Sequence, residues 1–91
     1  MAHFVYIIYS LRLDKFYIGE TEDVEIRLDL HNTGYFKGAF TSKTNDWEIF
    51  LVIRCSDRSH AKKVELHIKR MKSKKYLQNL KKYPKLVKKL I

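Results

Sequence analysis

Phe4-Val5-Tyr6-Ile7-Ile8-Tyr9-Ser10, answered by Phe16-Tyr17-Ile18-Gly19, decides how this chain folds. Both stretches are aromatic and β-branched, the composition that suits a pleated, half-buried surface. Leu11 to Lys15, with Asp14-Lys15 at its end, reads as the turn that joins them into a hairpin. Gly19 bends the end of the second strand or lets another backbone come close. Two tyrosines, Tyr6 and Tyr17, thus sit on neighbouring strands with ten residues between them.

Outward from the hairpin, Thr21 is the expected N-cap of a first helix, with Glu22, Asp23 and Glu25 near its N-terminus, where negative charge is favoured. That helix runs to about Asn32, and Gly34 suits its stop. Residues 33–46 carry Gly34, Gly38, Thr41, Ser42, Thr44, Asn45 and Asp46, a loop long enough to indicate function. Trp47 to Arg54 reads as a third strand, and its apolar run suggests a central, well-buried place. Ser59 is expected to cap a second helix, His60 to about Lys72, and Ser73 a third, near Lys74 to Lys82. Pro84 fits the first turn of a last short helix carrying Leu86, Val87, Leu90 and Ile91. The order is ββαβ followed by helices: an α+β fold with a small three-stranded antiparallel sheet flanked by helices. At 91 residues one domain is expected, with a core over about 3–72 and a basic helical extension over about 73–91.

The net charge of +9 hides an asymmetry. Residues 1–57 hold 6 basic and 9 acidic side chains, a net of −3, whereas residues 58–91 hold 13 basic and 1 acidic, a net of +12. Such a block attracts a polyanion, nucleic acid first of all; a solvated lysine face is the plain alternative. No apolar run approaches the roughly 20 residues that span a membrane. Met1-Ala2-His3-Phe4 lacks a basic n-region and a cleavage site, so no signal peptide is expected. Cys55, the one cysteine, follows Leu51-Val52-Ile53 and reads as a buried structural thiol, with a reducing cytoplasm as the default compartment.

Arg27 and His31 are four residues apart on the first helix and share a face. Taken singly, Arg27 is a surface ion-pair partner for an acid such as Asp23, and His31 a cation favoured at a helix C-terminus. On the second helix Ala61, Val64, Ile68 and Met71 form the apolar stripe. Glu65, the lone acid of the basic half, lies about 40° from Ala61, on the edge of that stripe. A pair with Lys69 explains it structurally, at about 0.3–0.5 kcal/mol if exposed, but not why this acid faces the core edge. His3, His60 and His67 make no zinc set.

In this order the residues resemble the GIY-YIG nuclease superfamily, specifically its small stand-alone members. Phe4-Val5-Tyr6 stands where the family has Gly-Ile-Tyr, and Tyr17-Ile18-Gly19 matches the second triplet outright. Arg27 matches the family arginine, His31-Asn32 and Gly34 resemble the family's helix end, and Asp57-Arg58-Ser59, Ala61, Glu65 and Ile68-Lys69 match the helix of the metal-binding glutamate. The resemblance covers roughly residues 3–72.

It implies hydrolysis of DNA with one divalent metal, Mg²⁺ or Mn²⁺, held by Glu65 with water completing the shell. Arg27 would stabilise charge on the phosphorane. Tyr6 would orient or deprotonate water, with Tyr17 or His31 assisting; Arg27 and the metal are expected to lower its pKa, ordinarily about 10. Lys62, Lys63, Lys69, Arg70, Lys72, Lys74 and Lys75 would contact the nucleic-acid backbone, with Lys37 and Lys43 approaching from the loop side. With no recognition helix, selectivity is expected to be for branched, nicked or single-stranded DNA, as in repair or recombination. RNA fits the same charge, and a protein partner that supplies targeting is a further candidate, whereas a membrane is not expected. The rivals are a nucleic-acid-binding module without catalysis and an adaptor that docks a partner on its terminal apolar residues.

Overall fold

The computed structural model describes residues 2–91. Its elements follow the order β1 (His3–Ser10), β2 (Lys15–Thr21), α1 (Val24–Asn32), a 3-10 turn (Phe40–Lys43), β3 (Glu48–Cys55), α2 (Arg58–Met71), α3 (Lys74–Lys82) and α4 (Pro84–Leu90). The three strands form one antiparallel sheet in the order β2-β1-β3. The hairpin tip is fixed by the Tyr9 hydroxyl, which donates to Asp14 at 2.6 Å, and by Lys74 of α3, whose ammonium donates to the Asp14 carbonyl at 2.8 Å.

The central strand is β1, not β3. Val5, Tyr6, Ile7 and Ile8 are all buried, so both faces of β1 are covered, the environment that asks for an unbroken apolar run. On one face Val5, Ile7, Ile53 and Cys55 pack with Ala61, Val64 and Ile68 of α2 and Leu77 and Leu80 of α3. On the other, Tyr6 and Ile8 meet Trp47, Tyr17, Val24 and Leu28. No residue of β3 enters that second cluster, so Ile49 and Val52 stay 42% and 39% exposed on an edge strand. An apolar run alone does not distinguish an edge strand from a central one. Met71 likewise leaves the α2 stripe, at 45% exposed, because the helix ends there in a left-handed Lys72.

The helix starts shift from the hydroxyls to nearby acids. Asp23 caps α1 by accepting from the Ile26 N–H at 3.0 Å, and Asp57 caps α2 by accepting from the His60 N–H at 2.8 Å. Thr21 is still paired in β2, and Ser59 already lies inside α2. A carboxylate adds charge complementarity with the helix dipole to the capping bond itself, which a hydroxyl does not. Ser73 does cap α3, and Pro84 opens α4. Gly34, at φ 74°, closes α1: its N–H reaches the His31 carbonyl while the Tyr35 N–H reaches that of Leu30.

Leu86, Val87 and Leu90 of α4 pack against the main core, which removes them as a free docking stripe for a partner. Among the described residues, no helix is long and apolar enough to cross a membrane. Ile68→Ala, at a site 1% exposed, should lower unfolding free energy by about 2–5 kcal/mol in urea titrations. Met71→Ala should change it by about 0.5 kcal/mol or less.

Candidate active site

The site is built across β2, the sheet edge opposite β3. Tyr6 on β1 stands directly opposite Gly19 on β2, and its ring lies over that glycine. A Cβ at position 19 would fall 2.6 Å from Tyr6 Cζ and 2.8 Å from Cε1. The glycine is therefore needed for space: what occupies the missing Cβ's place is a side chain, not an approaching backbone.

Tyr6, 2% exposed, shares a hydrogen bond of 2.8 Å with Nε2 of His31. His31 is the one residue of α1 buried outright, unusual for a helix facing a core. Its Nδ1 lies 2.7 Å from Thr41 Oγ1 in the 3-10 turn, and the Trp47 indole N–H holds the Thr41 carbonyl at 2.9 Å. The Tyr17 ring meets the imidazole edge-on with centroids 5.0 Å apart, and Phe36 closes another side at 5.0 Å. Asn32 clasps the Trp47 backbone in both directions, accepting from its N–H at 2.8 Å and donating to its carbonyl at 3.0 Å. The long loop thus brings one hydroxyl to one imidazole.

Electrostatics alter two expectations. Burial, reinforced by Tyr17, pushes the Tyr6 phenol well above its ordinary value; Arg27 pulls it down, but Glu65 and Glu20 push it up as well. Tyr6 is uncharged at neutral pH, and the lowering expected from Arg27 is outweighed. Burial first, then the Arg27 charge, lowers His31 to about 4. His31 is a neutral imidazole and not a helix-terminal cation, since desolvation here exceeds what the helix dipole supplies.

Arg27, half-buried, sets its guanidinium 5.3 Å from the centroid of the Phe36 ring, which orders a donor-rich cation beside the phenols. Glu65, half-buried on α2, pairs with Lys69 at 3.2 Å. Lys69 is half exposed, so this ion pair is worth at most about 1 kcal/mol and leaves the carboxylate available. Among the described residues no three His, Cys, Asp or Glu side chains gather as a metal-binding group. A single carboxylate with water in the remaining positions nevertheless fits a small hard cation such as Mg²⁺, which keeps several waters.

Tyr6, Tyr17 and His31 are in mutual contact, and Arg27 and Glu65 lie within electrostatic reach of the Tyr6 hydroxyl. Of the cations expected on nucleic acid, Lys69, Lys72 and Lys74 rim a cavity of about 210 Å³ floored by Phe16, Ile18, Ile68 and Leu77. Lys63 faces a separate cleft with His60, His67 and Lys89, and Lys43 another beside Arg12 and Asn32. Lys37, Lys62, Arg70 and Lys75 are exposed. Sequence reasoning passed over Lys15, a fourth cation on the rim, and Glu20, which holds His3 and lies 3.7 Å from Arg58. It also passed over Thr41, which carried no signal beyond being a hydroxyl in a long loop.

Residues 2–81 match the GIY-YIG catalytic domain. The chain belongs to that family. No curated protein and no solved structure is significantly similar to it. A GIY-YIG domain places the chain in a nuclease-type family and accounts for both tyrosine triplets. Where the family's first triplet begins with glycine, this GIY-YIG domain has Phe4, which pairs normally with Thr21 and Arg54 and leaves Tyr6 in register with Gly19.

Gly19→Ala should destabilise the GIY-YIG domain by about 1–3 kcal/mol, through displacement of the Tyr6 ring, as read from thermal melts. A second expectation concerns acid. The unfolded chain protonates His31 near pH 6.5 and the folded chain only near 4, so stability present above pH 6.5 is lost as pH falls toward 4. Urea midpoints measured between pH 7 and 5 should show this slope in the wild type, and His31→Gln should flatten it.

Proposed function

We propose that this protein is a divalent-metal-dependent DNA endonuclease that hydrolyses phosphodiester bonds with low sequence specificity, selecting DNA by structure as repair or recombination requires. The observation that carries this reading is the contact of two phenols with a neutral imidazole at one sheet edge, with the ordered Arg27 guanidinium and the Glu65 carboxylate within electrostatic reach of the Tyr6 hydroxyl. The basic second half supports a polyanionic partner.

Glu65 would hold Mg²⁺ or Mn²⁺, which when bound supplies charge neutralisation at the phosphate and a more acidic water. Arg27, braced by Phe36, offers fixed donors to the oxygens that gain charge in the transition state. Tyr6, kept protonated by its surroundings, orients the attacking water through its hydroxyl, and Tyr17 borders the same space. His31 contributes a hydrogen bond to Tyr6 rather than a charge. Lys15, Lys69, Lys72 and Lys74 would take the nucleic-acid backbone beside Glu65, as contacts to phosphate independent of sequence.

The Glu65–Lys69 pair favours a second reading, a nucleic-acid-binding module in which that carboxylate is merely structural. A labelled panel of single-stranded, nicked, flapped and four-way-junction DNA, with Mg²⁺, Mn²⁺ or EDTA, separates the two. Wild type should cleave at least one of these with metal and none with EDTA. Glu65→Gln and Arg27→Ala should each lose at least about a hundredfold in rate while binding DNA nearly as well. Metal-dependent cleavage that survives in Glu65→Gln would remove the role given to Glu65. Binding without cleavage by any of the proteins would favour the binding module.

A further inference from the structure

The lysine rim beside Glu65 surrounds something that backbone contacts do not need: a cavity of about 210 Å³ with an apolar floor. Phe16 and Ile18 of β2, Ile68 of α2 and Leu77 of α3 make that floor. Ile68 and Leu77 are 1% and 6% exposed, so the cavity is closed beneath. Phosphate is served by cations and N–H donors and gains nothing from buried carbon. Size narrows the occupant. Roughly 150 Å³ is enough to admit a benzene ring, whereas pockets for drug-sized ligands begin near roughly 300 Å³. The cavity has room for one ring-sized group.

The rim indicates what that ring is attached to. Lys15, Lys69, Lys72 and Lys74 stand around the cavity, and no carboxylate lines it. Glu65 holds Lys69 at 3.2 Å and Asp14 holds Lys74 at 3.3 Å. Lys15 and Lys72 are exposed and form no ion pair among the described residues. Lys72 also lies at φ 47° and ψ 41°, the left-handed end of α2, where glycine is the favoured residue. Ending the helix does not call for lysine there; a cation at the mouth of the cavity does.

We propose that this cavity is a subsite for one unpaired nucleobase of a DNA strand, with the flanking phosphates on Lys15 and Lys72. The proposal rests on DNA being the partner, and it deepens that reading by naming the form of DNA. Bases in a duplex are paired and stacked, so only an unpaired nucleotide enters, and the subsite selects single-stranded or flapped DNA. The place in the fold suits this. On the edge strand β2, Tyr17 joins the phenol and imidazole cluster on one face, while Phe16 and Ile18 join the cavity on the other. A strand crossing that edge presents a phosphate to the candidate active site and a neighbouring base to the cavity.

The test is binding of the full chain, in EDTA, to labelled oligothymidylate, to a fully abasic strand of equal length and to blunt duplex DNA. Wild type should bind the thymidylate about tenfold more tightly than the abasic strand at the same salt. Methyl resonances of Ile18, Ile68 and Leu77 should shift with thymidylate and stay in place with the abasic strand and the duplex. Ile18→Trp, which fills the cavity, should remove the advantage of the thymidylate. Lys72→Gly should weaken binding of both single strands and make the logarithmic salt dependence shallower by about 0.7, with a urea midpoint no lower than that of wild type. Equal affinity for thymidylate and abasic strands, or methyl resonances that do not respond, would overturn the subsite. If Ile18→Trp does not fold, the wild-type spectra decide. Base-dependent binding without cleavage of any DNA in the panel keeps the subsite and removes the nuclease reading; cleavage without base-dependent binding does the reverse.

Discussion

One absent methyl group underlies the site. The Tyr6 ring occupies the volume that any side chain at position 19 would take, and from there its hydroxyl reaches the imidazole of α1. Sheet register puts the two residues face to face, so the glycine and the tyrosine are a matched pair across a ladder. Because β2 is an edge strand, groups from both faces of the sheet can act on that hydroxyl: Arg27 from the α1 side and Glu65 from α2.

Burial, more than charge, sets the character of the groups gathered there. Water is excluded from Tyr6 and His31 strongly enough to leave both uncharged, although a guanidinium and two carboxylates stand near. The imidazole is held at both ring nitrogens, by the Tyr6 hydroxyl at one and by the hydroxyl of Thr41, ten residues further along the chain, at the other. The remaining cations stay at the periphery, half or fully exposed, where salt screens them and long side chains can adapt.

Much of this was legible in the sequence because it is local. The hairpin followed from β-branched and aromatic runs, the start of α3 from its Ser73 cap, and the inward lean of Glu65 from helical spacing alone. What was not legible depends on who covers whom. The third strand has an apolar run like that of the first, yet one is open on a face and the other closed on both, a difference created by where α1 happens to lie. The helix starts moved because an acid competed with a hydroxyl two residues away. The charge state of His31 inverted because its surroundings come from residues 6, 17, 36 and 41, which no window along the chain contains together.

The two-way clasp between Asn32 and the Trp47 backbone makes the intervening loop a ring with a fixed base. Its second half is pinned again where Thr41 meets Trp47, whereas Tyr35, Lys37 and Gly38 are exposed. For a flexible loop, doubling the length adds only about 0.6 kcal/mol of closure entropy. The junction of Lys37 and Gly38 is therefore a natural graft point: extra chain inserted there lies beyond Phe36, which packs on His31 and Arg27, and leaves the base of the ring and its hydroxyl-bearing half in place. Such an insert would project from the side of the molecule bearing Lys37, opening a route by which a compact nuclease-type domain gains a targeting element without rebuilding its interior.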